Sequence, residues 1–274
     1  MSGFSAEWLE LREPFDAAAR ATAPEASLGL WAGKRGGPLR IVDLGAGTGS
    51  NLRHLGPRLP LAQDWTLVEH DPALIAAGEA RLPTSGEIRA RYRRADLSSE
   101  LETVLAEPVD LVTCSALLDL VSAEWLHRLL RVVQARDLGL LAVLTYDGRV
   151  SLEPGLPLDA DVIGLVNRHQ RTDKGFGPAL GPEAGIELAR GLHGAGDQPL
   201  LALSDWSAGP GDRPFQRALV EGWAEAAAAI APERAAAIDS WCRDRLRAIE
   251  AGASRCRVGH VDLLRLPRGQ RGAA

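Results

Sequence analysis

Lysine, methionine and cysteine are all scarce in this 274-residue chain. Lys34 and Lys174 are the only lysines among 31 basic residues, and Met1 is the only methionine. Both scarcities read as a coding bias toward arginine, alanine and glycine. Cys114, Cys242 and Cys256 form no CxxC pair and no Cys/His cluster, which argues against a structural zinc site or a disulfide framework. Three thiols fit a reducing cytosol. Aromatic residues make up 5% of the chain, so bases would find few stacking platforms. Positive charge is not in excess either. The formal net charge of −5 gives no global field toward nucleic acid or an anionic membrane. The longest uncharged apolar run, Leu138 to Tyr146, falls far short of the roughly 20 residues a membrane-spanning helix needs. Met1 to Glu10 carries acids and no apolar centre, unlike a signal peptide. A soluble, cytoplasmic protein with no membrane partner is expected.

What is present is an ordinary globular composition, 46% hydrophobic and 24% charged. The first half alternates strand-like and helix-like segments. Apolar runs occur at Leu39–Leu44, Trp65–Val68, Ile88–Tyr92, Val109–Thr113 and Leu138–Tyr146. Helices are expected at 51–59, after the Asp71-Pro72 cap, and after Ser122, where Trp125, Leu126, Leu129, Leu130 and Val133 recur at helical spacing. Such alternation argues for a parallel sheet covered on both faces. The second half differs. Residues 147–181 are rich in glycine and proline and read as a long loop or lid. A helix to about Leu192, a strand at Leu200–Trp206, two helices within 212–252 and a last strand at Arg257–Leu266 follow.

The informative segment is Ile41 to Asn51. A buried strand ends at Asp43, glycines follow at 45, 47 and 49, and a helix begins. Glycine permits positive φ and close approach of backbone to a ligand. The helix start offers free N–H groups to an anionic ligand group. Glu69 ends the next strand, where an acid can accept from two ribose hydroxyls. The dinucleotide pattern GxGxxG needs glycine at position 50, and this chain has Ser50.

The spacing Asp43-x-Gly-x-Gly-x-Gly49 resembles the first motif of class I S-adenosylmethionine-dependent methyltransferases. Leu67 to Leu74 resembles that family's second-strand motif. Arg94-Ala95-Asp96-Leu97 resembles the segment after its third strand, and Asp110 to Leu118 its fourth strand and following turn. Four motifs in order, over roughly residues 39–146, are far more specific than any one alone. The resemblance implies an α/β fold, with a doubly wound, mostly parallel seven-stranded sheet, a reversed last strand and helices on both faces. It implies S-adenosyl-L-methionine as cofactor, with no metal. It gives Asp43 the cofactor's amino group, and Gly45, Ala46, Gly47 and Gly49 the turn beneath it. Glu69 takes the ribose and Asp96 the adenine amino group. His70 and Leu97 pack on the base, and Ser115 lies in the turn under the methionine part.

One methyltransferase domain over 1–274 is expected. It comprises an N-terminal helical cap (1–38), the cofactor-binding half (39–146), a substrate lid (147–181), a helix and sixth strand (182–211), a helical insertion (212–252) and the last strand (253–266). Within the lid, His169 is the candidate base or substrate anchor, oriented by Asp173 or Asn167, since histidine suits proton abstraction near neutral pH. A small polar acceptor, methylated on oxygen or nitrogen, is the expected partner, with the enzyme a monomer or homodimer. A tRNA or rRNA methyltransferase is the alternative. The charge, the few aromatics and Cys114-Ser-Ala-Leu117, in place of an Asn/Asp-Pro-Pro-aromatic motif, argue against it. A nicotinamide-dependent oxidoreductase is disfavoured by Ser50, and a non-catalytic cofactor-binding protein is a further alternative. The arginines of 88–94 read as edge-strand protection. His54, His127, His193 and His260 read as surface or capping residues. Arg12 is placed either near the methionine carboxylate or in surface packing.

Overall fold

A computed structural model describes residues 5–84 and 86–270; the first four residues of the expected N-terminal cap lie outside the described residues. Five parallel strands form the base of the sheet: β1 (Leu39–Leu44), β2 (Gln63–Glu69), β3 (Ile88–Arg94), β4 (Leu111–Ser115) and β5 (Gly139–Glu153). Beyond them come β6 (Leu200–Leu203), β7 (Trp206–Ala208) and β8 (Arg255–Arg265). The order is β3-β2-β1-β4-β5-β8-β6, with β7 also paired to β8. The last strand, β8, is antiparallel to β5, as expected. The sheet has eight strands rather than seven. Residues 200–206, read as one strand, break at Ser204 and Asp205, and the two pieces pair with different stretches of β8.

The helices are α1 (Ala6–Ala19), α2 (Thr22–Ala32), α3 (Ser50–Leu55), α4 (Pro72–Glu79), α5 (Leu97–Val104), α6 (Ala123–Ala135), α7 (Asp159–Gln170), α8 (Ala184–Gly194), α9 (Arg213–Ile230) and α10 (Ala235–Glu250). Side chains alternate across β1 as strand geometry requires. Leu39 and Ile41 join Leu28, Trp31, Leu52 and Leu55 of α2 and α3 on one face. Val42 and Leu44 join Leu101, Leu126, Leu129 and Leu188 of α5, α6 and α8 on the other. Asp71 caps α4 through Ala73 N at 2.8 Å, and Ser122 caps α6 through Trp125 N at 3.2 Å. Trp125, Trp223 and Trp241 are core residues. Cys114 is buried in β4 as a small apolar filler.

The expected lid is largely ordered structure. β5 continues to Glu153, and α7 buries Val162, Ile163, Leu165 and Val166. Glycines and prolines at both ends of 147–181 obscure that helical face in the sequence. The two helices expected within 212–252 are α9 and α10. Asp159 at the start of α7 ties α10 in, accepting from Trp241 Nε1 at 2.8 Å and from both sides of the buried Arg245 guanidinium.

β5 and β8 slip register between Ala142 and Thr145, where Leu144 takes a φ of 53°. A non-glycine residue in that region is strained and needs support. Asp262, wholly buried on β8, supplies it: Oδ1 accepts from Leu144 N at 2.7 Å and Oδ2 from Ala21 N at 2.9 Å. One carboxylate thus fixes both the bulge and the link between α1 and α2. Asp262→Ala leaves two buried N–H groups unpaired and should cost about 2–5 kcal/mol of unfolding free energy, read by urea denaturation. A change below about 0.5 kcal/mol would remove this role.

Candidate functional site

The strand order reverses between β1 and β4, and in open α/β sheets ligands bind outside the carboxyl ends at that point. Asp43 lies there near the end of β1, 1% exposed. Its Oδ1 accepts from Asn51 Nδ2 at 2.9 Å, and the same nitrogen donates to Thr113 Oγ1 at 3.1 Å. Oδ2 is buried with no hydrogen-bond partner. Burial pushes the Asp43 carboxyl up to about 7, against the pull of Asn51 and the Arg20 charge.

The turn after Asp43 needs its glycines. Gly45, Gly47 and Gly49 have φ of 66°, 53° and 80°. A Cβ on Gly45 would stand 3.1 Å from Leu117, and one on Gly47 3.0 Å from Leu9. Tyr92 of β3 donates its hydroxyl to Gly47 O at 3.1 Å, and Ala46 N donates to Val68 O at 2.9 Å. Glu69 is buried against the turn: Oε2 accepts from Gly47 N at 3.0 Å, and Oε1 from His70 N at 2.7 Å and Asp71 N at 3.0 Å. The exposed His70 ring brings Nδ1 within 2.9 Å of Glu69 Oε1. Asp96 is exposed and caps α5, accepting from Ser98 N at 2.9 Å, while Leu97 beside it is buried.

α1 forms a roof. Leu9 covers Gly47, and Glu13 pairs with both sides of Arg53 at 2.7 Å and with Arg81 at 3.1 Å. Under the roof is a cavity of about 170 Å³ lined by Asp16, Arg20, Asn51 and Ser115, among others. Arg20 follows α1, with its side chain 3% exposed. Its Nη1 donates to Asn51 Oδ1 at 2.8 Å, whereas Nη2 is buried without a partner. Burial pulls this guanidinium down from its usual value, and Glu25, Asp262, Asp43 and Asp16 hold its charge.

A second polar cluster lies beyond β4, whose turn places Ala116 at a φ of 51°. Asp119 follows, 6% exposed, with Oδ1 buried and unpartnered. Burial pushes its carboxyl up to about 6, opposed by its own backbone N–H, the Arg12 charge and the Tyr146 N–H. Arg12 is buried rather than at the surface, and its Nε donates to Asp16 at 2.9 Å. Its guanidinium stands 5.8 Å over Trp206, whose Nε1 also donates to Asp16 at 2.9 Å. The Trp206 ring is 4.5 Å from that of His260, which is 6.0 Å from Tyr146. His260 is therefore not the surface or capping residue expected. Desolvation pushes its imidazole down to about 4, so the ring is neutral near pH 7. Nδ1 donates to Val258 O at 3.0 Å, which leaves Nε2 as the acceptor.

The three acceptor-side candidates from the sequence do not form one unit. Asn167 belongs to this cluster: Oδ1 accepts from the Tyr146 hydroxyl at 2.7 Å and Nδ2 donates to Gly148 O at 3.1 Å. Asp173 is engaged in its own turn, accepting from Gly175 N at 2.7 Å and Gly177 N at 3.0 Å. His169 sits on α7 with Nδ1 3.4 Å from Lys174 Nζ, so neither Asp173 nor Asn167 orients it. Helix α7 is the reason, since it fixes Asn167 toward β5. Sequence reasoning missed Arg20, Asn51, Tyr92, Asp119, Trp206 and His260. Asp119 carried a signal, an acid inside the apolar run Ala116 to Val121. Arg20 and His260 carried none, because their partners are distant in sequence. Among the described residues, no group of three His, Cys, Asp or Glu is placed to hold a metal ion. Among them too, no helix is long and apolar enough to cross a membrane.

Residues 41–136 match a family model described as a methyltransferase domain. The fold resembles the YcgJ protein of Bacillus subtilis, at 14% identity over 91% of this chain and 100% of that one, with a TM-score of 0.51. It also resembles the cyclopropane synthase MmaA2 of Mycobacterium tuberculosis, at 13% identity over 96% and 94%, with a TM-score of 0.50. Likenesses at this identity speak for the fold. No curated protein matches the sequence.

The buried Asp43 generates a test. Its folded value of about 7 lies above the ordinary carboxylate value of about 4, so between those limits the folded state holds a proton the unfolded chain releases. Stability from this group is present at low pH and is lost as pH rises toward 7. Asp43→Asn lacks the titration. The variant should therefore gain in melting temperature relative to the native protein from pH 5 to pH 7.5. A pH-independent difference between the two would contradict the burial argument.

Proposed function

We propose that this chain, whose residues 41–136 match a methyltransferase domain, is a class I S-adenosylmethionine-dependent methyltransferase that methylates a small polar molecule on nitrogen or oxygen. The observation that carries the assignment of the cofactor site is a matched pair of unsatisfied groups. Asp43 Oδ2 is a buried acceptor, Arg20 Nη2 a buried donor, and Asn51 bridges their residues. Together they complement the ammonium and carboxylate of an amino acid. Buried polar atoms without partners cost about 1–3 kcal/mol each, so a ligand that satisfies both gains by doing so.

The remaining assignments follow along the same edge. The Gly45–Gly49 turn lies against the cofactor, with Ser115 beside it. Glu69 Oε2, which accepts only from Gly47 N, has a lone pair left for a ribose hydroxyl. His70, Asp96 and Leu97 form the adenine end. When bound, the cofactor supplies a methyl group on a positively charged sulfur. The protein's task is then mainly to position an acceptor and exclude water. Small-molecule pockets usually measure roughly 300–1,000 Å³. The cavity of about 170 Å³, beside Arg20 and Asn51, takes one end of the cofactor.

Polarity of the acceptor is supported by Arg12, Tyr146, Asn167 and His260, which gather beyond the end of β4 and along the middle of β5. Asn167 reaches this group through Tyr146, while His169 and Asp173 serve the 171–177 turn. The arginines of β3 support a structural role over RNA contact, since Arg91 and Arg93 pair with Glu107 at 3.0 and 3.3 Å.

Calorimetry with S-adenosylhomocysteine tests this reading. One equivalent should bind, with affinity tightening from pH 6 to 7.5 as Asp43 loses its proton to meet the ligand's ammonium. Glu69→Gln should weaken binding by about tenfold or more, the worth of a charged hydrogen bond. Affinity indifferent to both pH and Glu69 would remove the assignment.

A further inference from the structure

Asp119 is a buried carboxylate with no part in holding the cofactor. It lies on the short turn at Leu118–Leu120, four residues past the end of β4, on the segment whose Leu117 touches Gly45. The charged and titratable groups around it are Arg12 of α1, Cys114 of β4 and Tyr146 of β5, with the neutral His260 of β8 behind Tyr146. Arg12 does not neutralise it, because that guanidinium already pairs with Asp16 at 2.9 Å. Asp16 also feels the Arg20 charge, whereas Arg12 is the one cation acting on Asp119, whose Oδ1 stays an unmatched acceptor. Uncompensated buried charge is costly unless a partner arrives. Tyr146 reaches Asp119 through its backbone N–H, and its ring continues into the His260 and Trp206 rings at 6.0 and 4.5 Å, with Arg12 over Trp206, so aromatic faces that suit a cation line the same cluster.

We propose that Asp119 binds the methyl acceptor directly and selects for an amine, whose N–H groups pair with its free oxygen. This rests on the methyltransferase reading and narrows its acceptor from polar molecules in general to nitrogen bases. A carboxylate would be repelled at the same place. An alcohol would offer one donor without the charge and bind more weakly. The binding form is the ionised carboxylate. Because burial brings its proton loss to about pH 6, amine affinity rises through that range.

The test uses the full chain loaded with S-adenosylhomocysteine and three probes of one shape: benzylamine, benzyl alcohol and benzoate. Benzylamine should bind best, and its affinity should rise between pH 5 and 7, where the amine itself stays protonated. Asp119→Asn should lose about tenfold or more of that affinity, together with the pH dependence, while S-adenosylhomocysteine affinity stays unchanged and certifies the fold. Benzoate or benzyl alcohol binding more tightly than benzylamine, no probe binding to the loaded protein, or an unaffected Asp119→Asn would each overturn the inference while leaving the cofactor site intact. Failure of both proteins to bind S-adenosylhomocysteine would instead overturn the methyltransferase reading beneath it, and the inference with it.

Discussion

A carboxylate buried near the end of a parallel strand is an expensive thing for a fold to keep. Asp43 has lost its water, and only one of its oxygens has a hydrogen bond in return, from Asn51. Much of the architecture around the switch point follows from that one group. Asn51 must open α3 at the third glycine, so that its amide reaches back to β1. Arg20 must be buried nearby, so that its charge offsets the carboxylate. The link between α1 and α2 must hold Arg20 in place, and Asp262 fastens that link to β8. Members left partly unsatisfied suit a ligand whose own charges would complete them.

The same arrangement explains why α1 lies where it does. Its ion pairs from Glu13 to Arg53 and Arg81, and its stacking of Phe15 on Phe215 at 3.7 Å, anchor it across the glycine turn. The helix therefore touches both polar clusters. Leu9 covers the glycine turn and Arg20 reaches Asn51, while Arg12 and Asp16 join Trp206. The prolonged β5 and β8 carry that cluster past the ordinary rim of the sheet, and α7, α9 and α10 pack around the extension. Helices that read as an appendage in the sequence thus share a core with the strand carrying Tyr146.

The cofactor half was legible because its constraints are local. Asp43, the three glycines and Glu69 act within about thirty residues of each other, and each leaves a mark in strand, turn or helix spacing. The second polar cluster was legible only in part. Asn167 was singled out as a candidate orienter of His169, yet it pairs with Tyr146, because α7 aims it at β5. That helix was hidden by flanking glycines and prolines. His260 looked isolated because its neighbours, Trp206 and Tyr146, come from elsewhere in the chain. Arg20 looked like any arginine between two helices. Its burial depends on Asp262, which lies 242 positions away in sequence. Long-range electrostatics leave no periodicity to read.

The central claim is that the glycine turn beneath α1 is the S-adenosylmethionine site and that α1 is its roof. Hydrogen exchange of the full chain, with and without S-adenosylhomocysteine, tests it most directly. The account predicts slower exchange on ligand addition at Gly45–Gly49, at His70 and Asp71 beside Glu69, and along α1, with β6 and α10 unchanged. Protection confined to other elements, or an α1 whose exchange ignores the ligand, would contradict it.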